Sequence, residues 1–380
     1  MKVVNKNVPV VWVLTDDRPG NSTQSLGLAD ALGWSYTVKS LRFSRLAWLH
    51  KVHERLLGAT IICVDRETSQ SLVPPWPDVV ISAGRRAAPV ARWIRRQNQE
   101  KTKLIQLGRK GSQAVQPGDV SIVPGYCRMW PNEQRIETLA PLNRVTNQQL
   151  EEAAQEWVDL YQGAPRPHIV LLVGGSTVRS VLDESVARQL GRDVADFAKK
   201  TGGMVHAVTS RRTGTQAAEA LTEALGNSGI VQRWKPNQSR NPYWGYLAVA
   251  DVIIVTGDSE SMIGESVSIG KPVLIYPLPE KPMALMARLR EMIVVAGRAS
   301  LYGNDEEHSG SRIGKHISGF LLRQGLVRSL RDLKAFHHTL FEQGYAFPFG
   351  HNAEVTSNKP LREAEIVSRK VKVFLGFHNT

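Results

Sequence analysis

Short apolar runs, each closed by a turn signal and followed by residues at helical spacing, recur along the chain. In the first half they are VPVVWVL, read as a strand over 9–15, ATIICV at 59–64, DVVISAG at 78–84, KLIQLG at 103–108 and DVSIVP at 119–124. Between them, STQSLGLADAL at 22–32 sets Leu26, Ala29 and Leu32 on one face, and 88–96 sets Val90, Trp93 and Ile94 opposite several arginines; both are amphipathic helical patterns. A polar helix is predicted over about 147–161, and QGAPRP at 162–167 breaks both periodicities as a linker would. Beyond it come HIVLLVGG at 168–175, MVHAVTS at 204–210, IVQRW at 230–234, DVIIVTG at 251–257 and PVLIYPL at 272–278. Strand alternating with helix predicts parallel α/β architecture. We expect two Rossmann-like doubly wound domains, over 1–161 and 168–300, facing each other across a cleft. Residues 301–380 form an extension with helices near 313–342 and 360–375.

Composition narrows the class. With 42% hydrophobic and 22% charged residues in 380, the chain is globular, and each half is long enough to bury its own core. Cys63 and Cys127 lie far apart and outside any C-x-x-C pattern, which predicts neither a zinc site nor a disulfide framework. The apolar run at 8–14 is followed at once by Asp16, Asp17 and Arg18. That is a strand end rather than a signal-peptide cleavage region, so a reducing cytoplasm is expected and the sequons at Asn21 and Asn237 carry no weight. No apolar stretch reaches the roughly 18 residues that a membrane span needs. The net charge of +13 points to an acidic partner or simply to solubility. Nucleic-acid signatures are absent, so no nucleic-acid partner is expected.

The most informative chemistry lies at strand ends. Residues 241–278 contain a strand ending at Thr256-Gly257, a small polar turn of Asp258, Ser259, Glu260 and Ser261, and a helix over Met262 to Ile269. A turn of this kind offers backbone N–H groups and the positive end of a helix dipole to a phosphate; the plainer alternative is that Ser259 caps the helix. Glu265 lies one turn further in, where it could accept hydrogen bonds from a ribose diol. The segment fits neither a P-loop nor a nucleophile elbow. Two other strand ends agree with the phosphate reading. One carries Gly174, Gly175 and Ser176, and the other carries Ser210, Arg211 and Arg212, whose guanidinium groups suit a pyrophosphate. In the first half, TDDRPGN at 15–21 and AGRRAAP at 83–89 bring Asp16, Asp17, Gly20, Asn21, Arg85 and Arg86 to comparable places.

These pieces, with PLNRV, LLVGGST, TSRRT and NPYWGYLAVADVIIVTGDSESMIGESVSIGKPV, resemble the elongated-mitochondria fission-factor family over roughly residues 10–300. Its bacterial members are treated as glycosyltransferases of the two-Rossmann, GT-B type. The resemblance implies a nucleotide-sugar donor bound by the second domain and a cell-envelope or lipid-linked glycan acceptor bound by the first. It implies no obligatory metal or cofactor. Asp16 or Asp17 is then the candidate base, and Gly20, Asn21, Gln24, Arg85 and Arg86 shape the acceptor side. The chain departs from the family at Pro124-Gly125-Tyr126-Cys127, where a Pro-x-His-Asp pattern is usual. The competing reading is a non-catalytic membrane scaffold that keeps the fold; a sugar-nucleotide epimerase fits less well, because G-x-G-x-x-G is missing.

Residues 41–58 read as a basic amphipathic helix with Trp48. Such a helix either packs its apolar side on a sheet or lies on an anionic membrane as a peripheral anchor. Six of the ten histidines fall in the tail, at 308, 316, 337, 338, 351 and 378, in no metal-binding spacing.

Overall fold

The computed structural model describes residues 8–45, 58–108, 118–130, 132–235, 241–282, 285–302, 312–323, 327, 331–350 and 359–377. The chain forms two compact units, one of residues 1–144, 286–332 and 362–380 and the other of 145–285 and 333–361.

The first unit is built on six parallel strands: β1 (Val11–Thr15), β2 (Tyr36–Ser40), β3 (Val79–Ala83), β4 (Lys103–Leu107), β5 (Val120–Pro124) and β6 (Arg135–Thr138). Their order is β2-β1-β3-β4-β5-β6. β1, β3 and β5 are buried along their whole length, as apolar strands covered on both faces must be. One face packs on helix α1 (Pro19–Leu32), through Leu28, Ala29 and Leu32, and the other on α2 (Gly84–Gln97), through Ala87, Val90, Ala91 and Ile94. α1 begins three residues before the predicted start because Pro19 takes the first helical position, where its missing N–H costs nothing. No side chain caps its start, and Gly33 in the left-handed region closes its end.

The second unit holds β7 (His168–Val173), β8 (Met204–Thr209), β9 (Gly229–Gln232), β10 (Val252–Thr256), β11 (Val273–Tyr276) and β12 (Phe347–Pro348), all parallel, in the order β12-β11-β10-β7-β8-β9. Read from β9, that is a 3-2-1-4-5-6 arrangement, the Rossmann order. Helices α3 (Asn147–Glu156), α4 (Glu184–Thr201), α5 (Thr215–Leu225), α6 (Tyr243–Val249) and α7 (Glu260–Val267) belong to this unit. Two doubly wound α/β units are thus present.

Three expectations change. The run at 59–64 joins neither sheet; Val64 makes an isolated antiparallel bridge to Phe43, and the place beside β1 is taken by β2 in a five-residue register. The change of unit falls at Arg144/Val145, before the linker at 162–167. α3 goes with the second unit because Gly245 of α6 lies against Trp157, where a Cβ would come within 2.5 Å of the Trp157 Cβ. The tail is divided between the units. After α8 (Leu285–Tyr302) and α9 (Arg312–Arg323), helix α10 (Leu333–Glu342) buries Phe336 and Leu340 in the second unit. Helix α11 (Glu363–Phe374) returns to the first unit, where Val367, Val371 and Leu375 join the core beside α1. Most of the basic amphipathic segment, 46–57, lies outside the described residues, as do His308, His351 and His378. No helix among the described residues is long and apolar enough to cross a membrane.

Candidate functional site

In doubly wound sheets, ligands settle beyond the carboxyl ends of the strands, where the strand order reverses. In the second unit that point lies between β7 and β10, and the expected residues gather there. Gly174 and Gly175 follow β7. The Gly174 N–H donates to Thr256 Oγ1 at 2.8 Å, and the Gly175 N–H to Asp258 Oδ2 at 3.0 Å. Neither glycine has room for a side chain: a Cβ on Gly174 would lie 2.3 Å from the Asp258 carboxylate oxygens, and one on Gly175 would lie 2.2 Å from the Arg212 backbone. Ser210 Oγ donates to Gly174 O at 2.6 Å and Thr213 Oγ1 to the same oxygen at 2.5 Å, tying the loop after β8 to the loop after β7. Ser176 Oγ accepts from the Leu182 N–H at 2.9 Å and so shapes the turn before α4.

Asp258 is central to this knot and is not open to a ligand. Its side chain is fully buried, accepts from Thr256 Oγ1 at 2.7 Å and pairs with Arg212 Nη2 at 2.9 Å. Burial pushes its carboxyl above the usual range, against the opposing effects of Thr256, Arg212 and the Gly175 N–H. Arg212 is therefore committed to Asp258, whereas Arg211 is exposed and makes no ion pair among the described residues. Ser259 stands at the N-cap of α7, yet its side chain makes no capping hydrogen bond. Ser259 therefore leaves the start of α7 without a cap of its own, and helix starts of this kind can receive a phosphate. Ser261 is exposed and Met262 half-buried on the first turn. Glu265 receives the Tyr243 hydroxyl; burial raises its carboxyl to about 7 even though that hydrogen bond lowers it.

The first unit has a reversal between β1 and β3, and a second polar cluster forms there. Asp16 accepts from Asn21 Nδ2 at 3.1 Å and from the Arg18 N–H at 3.1 Å, and burial raises its carboxyl above the ordinary value. Gly84, at φ +77°, opens α2 directly against Asn21; a Cβ there would come within 2.9 Å of Asn21 Nδ2, so only glycine serves on both counts. Asp17 is paired with Arg86 at 2.9 Å, and the Arg86 guanidinium lies 5.7 Å from the Phe43 ring centre. Arg85 is buried at 5% exposure and points away from solvent. Gln24 folds back on its own helix and donates to Gly20 O at 2.9 Å. Asp16, Gly20, Asn21 and Gln24 are thus brought together.

Sequence does not single out Thr213, Tyr243 or Gly84, and it marks Thr256 only as a strand end. The two threonines stand inside TSRRT and DVIIVTG, so sequence marks the segments but not the roles of these hydroxyls. Nothing in the spacing of Tyr243 from Glu265 betrays their contact.

The family profile described as Mitochondrial fission ELM1 matches residues 19–311. The chain is 28% identical to the mitochondrial fission protein ELM1 of Arabidopsis thaliana over 221 residues, covering 52% of this chain and 51% of that protein. It spans about half the length of that relative. An uncharacterized protein of Rickettsia prowazekii (strain Madrid E) is 26% identical over 307 residues, which is 71% of this chain and 83% of that protein. Among solved structures, a family 9 glycosyl transferase from Veillonella parvula DSM 2008 superposes with a TM-score of 0.43 at 12% identity, over 83% of this chain and 98% of that one. MnaA of S. aureus in complex with UDP gives 0.42 at 11% identity, over 92% and 99%.

Proposed function

Because the chain belongs to the mitochondrial fission ELM1 family, we propose that it is a glycosyltransferase of the GT-B type, with a nucleotide-sugar donor held by the second unit and a cell-envelope or lipid-linked glycan acceptor held by the first. The carrying observation is the knot after β7, β8 and β10. Two side-chain-free glycines, a helix start that Ser259 does not cap and the exposed Arg211 lie on the loops beside the strand-order reversal. The diphosphate takes the N–H groups of α7 and the Arg211 guanidinium, which offset the charge gathering on the leaving group. Arg212 and Asp258 hold the loops. Glu265 takes the ribose diol in place of the Tyr243 hydroxyl. Asp16, whose carboxyl is raised and whose orientation is set by Asn21, draws the proton from the acceptor hydroxyl.

The test is a thermal-shift and calorimetric panel of nucleoside diphosphates and their sugars. A ligand at 100 times its Kd stabilises by about 2.7 kcal/mol, and Arg211→Ala weakens it roughly tenfold, as loss of a charged hydrogen bond does. Affinity for the diphosphate of the matching nucleoside rises between pH 6 and 8 as Glu265 ionises about pH 7, because only the carboxylate accepts from both ribose hydroxyls; Glu265→Gln flattens that profile. A panel without a shift defeats the proposal. The scaffold reading draws on one observation: the turn after β5 offers buried Tyr126 and Cys127, where the family pattern has His and Asp. Bound nucleotide sugar without any hydrolysis or transfer would favour it.

A further inference from the structure

Helix α10 of the tail belongs to the second unit, and it reaches the turn after β10. Its buried side carries Phe336 and Leu340, which sets how its two adjacent histidines are turned. His338 is exposed and pairs with Glu342 at 3.2 Å. His337 is half-buried, with its ring centre 6.0 Å from that of Phe336 and 6.4 Å from that of Phe341. Its imidazole rests on Gly257, the first residue after β10. A Cβ on Gly257 would lie 2.8 Å from His337 Cε1 and 3.5 Å from Nε2. The ring therefore stands where a side chain at that position would have to go.

The turn itself does not call for glycine at this place, because Gly257 is not in the left-handed region. The neighbouring imidazole does. The Gly257 N–H donates to Tyr276 O at 2.9 Å, and the Ser259 N–H donates to Thr256 O at 3.3 Å, so His337 supports a short turn already held at its backbone between β10 and the start of α7. α10 also reaches the loop after β11, where Lys334 Nζ pairs with Glu280 at 3.0 Å. Both partners of that pair are exposed and it contributes little, so the weight of the contact falls on His337. We propose that His337 is a positioning residue of the diphosphate site, its imidazole filling the space beside Gly257 and fixing the turn that opens α7. The proposal rests on the donor-site reading above and adds to that site a residue from the tail, remote in sequence.

The test is calorimetric titration of the full chain with pyrophosphate and with ADP, GDP and UDP, joined to NMR of protein isotope-labelled at histidine Cε1. The wild type is expected to show one Cε1 signal, absent from His337→Gln, that moves as pyrophosphate saturates the site. A ring that only packed a remote part of the unit would keep its shift. His337→Ala weakens pyrophosphate and the best-bound nucleotide by the same factor, at least about fivefold, as coupled neighbours do. Gly257→Ala, which drives a Cβ into the imidazole, gives a similar loss, and Gly257→Ala with His337→Ala loses no more than either alone. A Cε1 signal that stays in place while Arg211→Ala still weakens pyrophosphate overturns the proposal and leaves the donor site standing. Losses that add in the double variant do the same. Failure of all four ligands to bind the wild type overturns the proposal together with the donor-site reading.

Discussion

His206 shows how one buried side chain sets the response of a whole unit to acid. It is fully buried on β8, with its ring 5.4 Å from that of His168 and 5.1 Å from that of Tyr246. Neither ring nitrogen has a hydrogen-bond partner among the described residues. Burial, with a smaller contribution from His168, lowers its pKa from 6.5 to about 4. The folded state therefore holds the neutral imidazole, and the unfolded chain binds the proton first. Stability from this group is complete above pH 6.5 and is lost as pH falls toward 4, amounting to roughly 3 kcal/mol over that window. Urea melts at pH 7.5 and 4.5 are expected to show that loss in the wild type and a much smaller one in His206→Phe. Equal acid sensitivity would assign the loss to other groups. Nothing in MVHAVTS marks this histidine as special, because a strand residue's side is legible but the absence of a partner is not.

At the level of elements, helix starts divide into two kinds. Asp183 at the start of α4 accepts from the Val186 N–H at 3.0 Å, and Thr146 at the start of α3 accepts from the Gln149 N–H at 3.2 Å. Ser259 has the residue type of a cap but makes no such bond. Asp183→Ala should therefore cost about 1 kcal/mol in chemical denaturation, whereas Ser259→Ala removes no capping bond and should cost less. A Ser259→Ala variant as destabilised as Asp183→Ala would show Ser259 capping α7 in solution and would count against the phosphate site proposed there. The strands tell a related story. The central strands stood out in sequence as apolar runs because both of their faces are covered. The three that escaped notice, Tyr36–Ser40, Arg135–Thr138 and Phe347–Pro348, are all edge strands. One side of an edge faces solvent, so its residues alternate or are few, and the apolar signal fades.

For the whole molecule, the tail is structural in both units. Val367 and Val371 of the last helix and Leu375 just after it lie in the core beside α1, Phe377 packs edge-on against Trp34 at 5.0 Å, and Lys103 Nζ donates to Leu375 O at 2.9 Å. Each fully buried apolar side chain of this size contributes ~1.5 to 3 kcal/mol, a large fraction of ordinary domain stability. Truncation after Lys359 should therefore abolish or strongly lower the unfolding transition of the first unit in calorimetry and spare that of the second; an unchanged thermogram would contradict this placement.

Much of this protein could be read from sequence alone. Two parallel α/β units follow from the alternation of apolar strand and amphipathic helix, a local pattern set by side-chain periodicity. The polar strand ends at Thr15–Asn21, Val173–Ser176, Thr209–Arg212 and Thr256–Ser261 were legible because small, hydroxyl and charged residues stop an apolar run. What each of them does was decided only in three dimensions. Buried Asp258 holds Arg212 while Arg211 makes no ion pair among the described residues, because strand order brings the loops after β7, β8 and β10 together across more than 80 residues of chain. The same holds for α11, whose amphipathic pattern declares a buried face but not the sheet that buries it. Periodicity is a property of neighbours in sequence, whereas partners are chosen by the packing of elements remote in the chain.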